Sequence, residues 1–319
     1  MCAVDESLPL VIEAEELHPE ARAWLSERVR LVRCEQSDQP AFDTLLLEAE
    51  ALVVRTYTRV DATLLSGAPR LRVVGRAGVG LDNIDLEACA QRGVRVVHTP
   101  GANTQAVVEL VWALVFDALR PRVFLDKPLA RGKWEELRGE LLADRGVSER
   151  TLGVWGLGRV GSRVAAVGRA LGMRVVYHDV REIPEAERQG AAPVSADELC
   201  ESADVLSVHV DGRAANRGMI GAAQLARMRP DVVLVNTSRG MVIDPFALAG
   251  FMIAHPGAQA LLDVHEPEPF DARYPLLDIP NVHLTPHIGA ATRTAKRNMS
   301  WVVKDVWREL EAARAGVRG

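Results

Sequence analysis

The stretch Thr151-Leu-Gly-Val-Trp155-Gly156-Leu-Gly158-Arg159-Val160-Gly161, followed by the run Arg174-Val-Val-Tyr-His178 and then Asp179, decides how this chain folds. Residues 151–155 read as a strand and residues 160–171 as an amphipathic helix. Gly156 permits the tight turn between them, Gly158 lets a pyrophosphate approach the backbone, and Gly161 lets helix and strand pack closely. The amides of Arg159, Val160 and Gly161 at the helix start supply donors and a favourable dipole for phosphate. Asp179, 18 residues beyond Gly161, stands where such a fold needs an acceptor for the ribose hydroxyls. A glycine run alone reads equally well as a surface turn. Strand, loop, helix, strand and acid in this order read as a dinucleotide site. A carboxylate there repels a 2′-phosphate, so NAD is preferred over NADP, and Arg181 is expected to be solvated.

Working outward, β-branched runs alternate with helical patterns over most of the 319 residues. The expected strands are 10–12, 51–55, 71–75, 94–98, 152–155, 174–178, 204–210, 232–236, 258–263 and 281–285. Several are apolar on consecutive residues, as parallel strands covered on both faces are. Helical patterns fall at 104–119, 160–171, 196–200, 245–254 and 291–313. This alternation predicts an α/β protein with doubly wound parallel sheets. At roughly 150 residues per domain the length suggests about two domains. A second glycine cluster, Gly75, Gly78 and Gly80, follows the run at 71–75 and argues for two lobes with a cleft between them. The stretch 120–150 is dense in charge and weak in apolar periodicity, and reads as an irregular linker or as an arm packing on another subunit.

Composition narrows the classes. With 48% hydrophobic and 25% charged residues the chain is ordinary globular material, which excludes disordered, collagenous and disulfide-scaffold readings. The formal charge of −5 argues against nucleic acid as the main partner. Four cysteines, Cys2, Cys34, Cys89 and Cys200, form no Cys-x-x-Cys motif, so neither a zinc site nor a redox pair is expected. Residues 1–16 are acidic and carry no basic n-region, against a signal peptide. The longest apolar stretch, 106–116, is too short for a bilayer and contains Glu109. A soluble, cytoplasmic protein without a membrane partner is expected. Lysine occurs only at 127, 133, 296 and 304, so arginine is the default cation and a lone arginine is weak evidence of a site.

A dinucleotide site implies hydride transfer, and moving a hydride to or from a carbinol carbon needs a group that takes or returns the hydroxyl proton. Histidine suits both directions. Of the eight histidines, His18 and His255 fall in surface turns and His98, His178 and His209 at strand ends, where structural roles are expected. His287 lies in Thr285-Pro-His287-Ile-Gly289-Ala290, immediately after an expected strand, where open α/β sheets place their ligands. Leu262-Asp-Val-His-Glu-Pro-Glu-Pro269 ends another strand with carboxylates, one of which can pair with His287 and fix its tautomer. Asn236-Thr-Ser-Arg-Gly240 ends a third, and its arginine can fork a substrate carboxylate. Any one of these reads as an ordinary polar loop; three together, beside a dinucleotide loop, read as a site.

With Gly75-Arg-Ala-Gly-Val-Gly-Leu-Asp-Asn-Ile-Asp85 and Thr99-Pro-Gly-Ala-Asn-Thr104, these motifs resemble the D-isomer-specific 2-hydroxyacid dehydrogenases over about residues 53–290. The resemblance implies Arg239 as carboxylate anchor, Glu268 as partner of the base and His287 as the acid/base. It implies that Gly156, Gly158, Arg159, Val160, Gly161, Asp179, Val210, Thr237, Ser238, Asp263, Gly289 and Ala290 meet the cofactor, with Asp263 facing the nicotinamide carboxamide. Gly78, Val79, Gly80 and Asn103 would meet the substrate carboxylate. It also implies a discontinuous substrate domain, residues 1–99 and 289–319, a nucleotide domain, residues 100–288, and an active site in the cleft between them. A homodimer through the nucleotide domain follows from the same resemblance, with 104–119 and 120–150 as the contact.

Within the family, Val53-Val-Arg-Thr56 followed by Gly75-Arg-Ala-Gly78 is most similar to phosphoglycerate dehydrogenases, where arginines matching Arg55 and Arg76 approach the substrate phosphate. 3-Phospho-D-glycerate is therefore the favoured substrate, giving 3-phosphohydroxypyruvate for serine biosynthesis, with hydroxypyruvate or glyoxylate reduction as the alternative. With the sequence ending at Gly319, serine feedback through a regulatory domain like that of longer relatives is not expected. A more distant alternative is a corepressor-like NAD(H) sensor. Two departures from the family stand out: the segment after Val210 reads Asp211-Gly-Arg-Ala-Ala-Asn-Arg217 where a proline and hydroxyl residues are usual, so Asp211 is expected to alter cofactor affinity, and His265 replaces an aromatic and is expected to compete for Glu268.

Overall fold

Consecutive strand residues of this chain point into two different cores, which is why its apolar runs do not alternate with polar residues. Leu10, Ile12, Leu52, Val54 and Val74 enter one cluster, while Val11, Ala51, Val53 and Val73 enter another. The same division recurs further along: Leu206, Leu234 and Leu262 face one way, and Val205, Val233, Val235 and Leu261 the other. In the computed structural model, which describes residues 8–316, the strands are β1 (Leu10–Glu13), β2 (Arg30–Arg33), β3 (Ala51–Val54), β4 (Val73–Arg76), β5 (Arg95–His98), β6 (Thr151–Trp155), β7 (Arg174–His178), β8 (Ala192–Pro193), β9 (Val205–Val208), β10 (Val233–Asn236), β11 (Gln259–Leu262) and β12 (Val282–Leu284). Cys2, the first seven residues of the acidic stretch and residues 317–319 lie outside the described residues.

Two compact units result. One takes the described residues up to Asn103 and those from Ala290 onward; the other is Thr104–Gly289. In the first, five parallel strands run in the order β2-β1-β3-β4-β5. In the second, seven parallel strands run β12-β11-β10-β9-β6-β7-β8. Both are doubly wound, Rossmann-like sheets. Because parallel strands need crossovers, each carries helices on its faces. The chain's last helix, Val303–Arg314, packs on the five-stranded sheet so closely that a Cβ on Gly75 of β4 would lie 2.3 Å from Val306 Cγ2.

Several expectations are revised. The single helical pattern at 291–313 is two helices, Arg293–Ser300 and Val303–Arg314; the tighter bonds Trp301 N→Asn298 O and Val302 N→Met299 O turn the chain between them. The stretch 120–150 is not irregular throughout, since Arg131–Glu140 is a helix none of whose residues is buried. The strand β2 is an addition to the expected set, because an edge strand needs no continuous apolar run: Arg30 and Arg33 bracket it, and all four residues are half-buried. No helix among the described residues is long and apolar enough to cross a membrane.

Candidate active site

Parallel strands bring their carboxyl ends to one rim, and in the seven-stranded sheet that rim collects the loops singled out by sequence. The glycine loop leaves β6, Asp179 follows β7, Val210 follows β9, Arg239 follows β10, the Asp263–Glu268 segment follows β11, and His287 follows β12. The strands β10, β11 and β12 are neighbours, so the three polar motifs are adjacent by topology.

Gly156 has φ +94°, and a Cβ there would lie 2.8 Å from His209 O and 3.2 Å from Val210 Cγ1. A Cβ on Gly161 would lie 2.0 Å from Gly156 O, so helix Arg159–Ala170 can meet β6 only through glycine. Gly158 caps this helix without a side-chain bond, and nothing would lie within 4 Å of a Cβ there. The amides of Arg159, Val160 and Gly161 thus border open space, as a phosphate requires. Asp179 accepts from Leu157 N of the loop at 2.8 Å. Arg181 is not simply solvated: its Nε and Nη2 lie 3.2 and 3.3 Å from the Asp179 carboxylate. Burial pushes that carboxyl up, but the Arg181 side chain and the amides of Arg181 and Leu157 outweigh it and hold it below the usual range. After β10, Thr237 Oγ1 is buried and makes no hydrogen bond among the described residues, so a polar ligand group there would satisfy it. Ser238 is held by Asn236, whose Oδ1 accepts from its amide at 3.0 Å and its hydroxyl at 2.7 Å. These residues fit a dinucleotide.

His287 Nδ1 lies 2.7 Å from Glu268 Oε2. A carboxylate only accepts, so Nδ1 carries the proton and Nε2 is the ring nitrogen left to exchange one. Burial pushes Glu268 up, yet the bonds from His287 and from the His265 amide win and keep it below the ordinary carboxylate range. His287 has φ +53°, a left-handed backbone uncommon for any residue but glycine, though histidine tolerates it better than most. Asp263 holds this turn: Oδ1 accepts from Thr285 Oγ1 at 2.6 Å and Ile288 N at 2.7 Å, and Oδ2 from Gly289 N at 2.7 Å. Its carboxylate is thus largely committed to the turn that carries His287. Arg239 sits on a turn closed by Asn236 Nδ2, which donates to Arg239 O at 2.9 Å.

The two departures have definite partners. Asp211 is paired with Arg213 and accepts from Asn216 Nδ2 at 3.0 Å. His265 does not compete for Glu268 with its ring: its amide donates to Glu268 Oε1 at 2.7 Å, while ring Nε2 lies 2.8 Å from Thr285 O.

The remaining candidates belong to the other unit. Arg55 follows β3 and Arg76 ends β4, with Val54 and Arg76 paired in register, so both stand at the carboxyl ends of neighbouring strands. Arg55 Nη1 donates to Glu16 O at 3.3 Å. The Arg76 guanidinium lies over Gly78, where a Cβ would be 1.1 Å from Nη1. Gly78 N is engaged with Arg76 O at 2.8 Å, while His98 Nδ1 holds Val79 O at 3.0 Å. Asn103 and Ala290 lie at the two limits of this unit. Sequence reasoning missed Glu15, whose carboxylate accepts from the amides of Arg55, Thr56, Tyr57 and Thr58 at 2.8–3.1 Å and so shapes the loop after β3. No local motif marks it, because the acceptor lies some forty residues upstream of its donors.

Comparison with known proteins agrees with this geometry. The family described as "D-isomer specific 2-hydroxyacid dehydrogenase, NAD binding domain" matches residues 112–289. A glyoxylate reductase of Aeropyrum pernix is 37% identical over 305 residues, 93% of this chain and 91% of that protein. A D-3-phosphoglycerate dehydrogenase of Archaeoglobus fulgidus is 42% identical over 80% of this chain, which spans only 48% of that longer protein. Among solved structures, the D-lactate dehydrogenase of Aquifex aeolicus, complexed with NAD and lactic acid, matches with a TM-score of 0.80 at 28% identity over 97% of this chain and 96% of that one. A glycine loop built for a dinucleotide, a carboxylate-bound histidine on the same rim and these similarities lead to one conclusion: the chain belongs to the D-isomer specific 2-hydroxyacid dehydrogenases, NAD-dependent oxidoreductases acting on CH–OH groups.

Proposed function

We propose that this chain interconverts 3-phospho-D-glycerate and 3-phosphohydroxypyruvate, the oxidation that opens a route to serine. The observation carrying this reading is that Arg55, next after β3, and Arg76, the last residue of β4, stand at the carboxyl ends of adjacent strands, where two guanidiniums turned onto one ligand would suit a dianion. In it Arg239 binds the substrate carboxylate, and Val79, Gly80 and Asn103 supply further donors. Bound NAD supplies the nicotinamide ring that takes up or returns the C2 hydride. His287 Nε2 takes the hydroxyl proton during oxidation and returns it during reduction. Glu268 keeps the other ring proton on Nδ1 and stabilises the imidazolium that forms. Asp179 accepts the adenosine ribose hydroxyls, and the amides at the start of helix Arg159–Ala170 cradle the pyrophosphate.

A second reading, glyoxylate or hydroxypyruvate reduction, is favoured by a different observation. This chain is 37% identical to a glyoxylate reductase over nearly the whole length of both proteins. Turnover of 3-phosphoglycerate, D-glycerate, hydroxypyruvate and glyoxylate with NAD(H) and NADP(H) separates the two. If 3-phosphoglycerate has the highest kcat/KM and Arg55→Ala removes that preference, the first reading stands. If glyoxylate or hydroxypyruvate leads and Arg55→Ala changes nothing, the second replaces it. Tight NADH binding without turnover of any of these acids would instead point to a sensor.

From the family resemblance we also propose a homodimer through the nucleotide unit, with 104–119 and 120–150 as the contact. Val123, Phe124, Leu125, Trp134 and Leu142 are exposed within a segment whose helix, Arg131–Glu140, has no fully buried residue.

A further inference from the structure

We propose that His265 is a positioning residue that locks the acid/base histidine through its ring Nε2–H. The inference rests on reading His287 and Glu268 as the acid/base pair, and it concerns a residue outside that pair. His265 bonds one member directly and reaches the other through a shared acceptor. Its amide donates to Glu268 Oε1 at 2.7 Å, and Glu268 Oε2 in turn holds His287 Nδ1 at 2.7 Å. Its ring Nε2 lies 2.8 Å from Thr285 O, the same carbonyl that accepts from His287 N at 2.9 Å. A carbonyl only accepts, so the proton is on His265 Nε2. The left-handed turn at His287 is therefore tied from inside by its own amide and from outside by the His265 ring.

The remainder of the His265 environment is poor for an imidazole. The residue is 6% exposed, and its ring is edge-on to Phe270 at 4.8 Å and to Tyr274 at 5.7 Å. Nδ1 is buried and has no hydrogen-bond partner among the described residues. The ionisable groups around it are Glu268 on its amide and Tyr274 against its ring. A phenyl ring would fill this box at no polar cost, so packing alone does not account for the imidazole. What phenylalanine cannot supply is the bond to Thr285 O.

The test compares His265→Phe, which keeps the aromatic contact and deletes the donor, with His265→Gln, whose amide nitrogen can reach the Nε2 position. For His265→Phe we expect kcat to fall by about tenfold or more, as small misplacements of a reacting group do. NADH affinity, measured by fluorescence titration, stays unchanged, and Tm does not drop because the orphaned Nδ1 has gone. Imidazole 15N spectra then show His287 as a mixture of tautomers, where the wild type holds one, and His265→Gln restores both kcat and the single tautomer. Wild-type turnover with a single tautomer in His265→Phe overturns the proposal. So does an equal loss in both variants, which would assign the effect to ring shape. The tautomer readout needs no turnover, so it fails or succeeds independently of whether His287→Ala shows His287 to be the acid/base.

Discussion

At the scale of single residues, one oxygen pair on Glu268 organises the site: Oε2 fixes the His287 tautomer and Oε1 caps the His265 amide. Glu268→Gln replaces an obligate acceptor by an amide that can rotate, so both imidazole tautomers become available to His287. We expect kcat to fall 10²- to 10⁴-fold, the range for a disabled acid/base, while NADH binding survives. Steady-state kinetics alongside NADH titration check this, and undiminished turnover would remove Glu268 from the mechanism. Gly161→Ala should do the reverse. A Cβ only 2.0 Å from a backbone oxygen forces helix and loop apart, so dinucleotide affinity should drop by at least about tenfold, one lost charge-assisted contact being enough for that. Equilibrium dialysis against NADH reads it directly. The buried thiols are structural by contrast, and Cys200, pushed up to about 11 by burial, should resist alkylation at pH 8 until the chain unfolds.

At the scale of elements, the end of β9 couples packing to pH. His209 is half-buried beside the glycine loop with its ring turned inward to Ser207, its amide donating to Trp155 O at 2.7 Å and its Nε2 2.8 Å from Ser207 Oγ. Burial pushes its pKa down to about 3, so the native state keeps it neutral. An unfolded histidine titrates near 6.5. Between those values the unfolded chain binds a proton that the native chain refuses, so the stability present above pH 6.5 is lost as pH falls towards 3. His209→Gln removes this linkage: its urea midpoint should decline less between pH 7 and 4.5 than that of the wild type. Parallel declines would assign the acid sensitivity to carboxylates instead. Asp204, at the start of the same strand, works in the usual carboxylate direction. Burial raises its pKa, but Thr151 N and the Arg145 and Arg229 guanidiniums outweigh that and hold it low.

At the scale of the whole molecule, the clearest question is association. The exposed Phe124 and Leu142, at 86% and 81%, are too apolar to leave in water without some cost. Light scattering at micromolar concentration should give twice the chain mass, and Phe124→Asp combined with Leu142→Asp should return it to one. A wild-type monomer would leave the segment 120–142 as an exposed arm and end the homodimer reading.

Much of this protein was legible in its sequence because the relevant information is local. The strand–glycine–helix run at 151–161 and Asp179 needed only neighbouring residues, since turn geometry, helix dipole and β-branched packing act over a few positions. The polar motifs ending β10, β11 and β12 were readable for the same reason. Edge strands and short helices in the first unit were not, because solvent on one side erases the apolar pattern that marks them, as at Arg30 and Arg33. What only the tertiary structure decided is which acceptor each polar group reaches. Glu15 serves amides some forty residues away, Asp263 anchors the turn at 285–289, and His265 turns its ring to Thr285 O while its amide takes Glu268. Hydrogen bonds between segments distant in sequence depend on where strands bring their ends together, and no local propensity encodes that meeting.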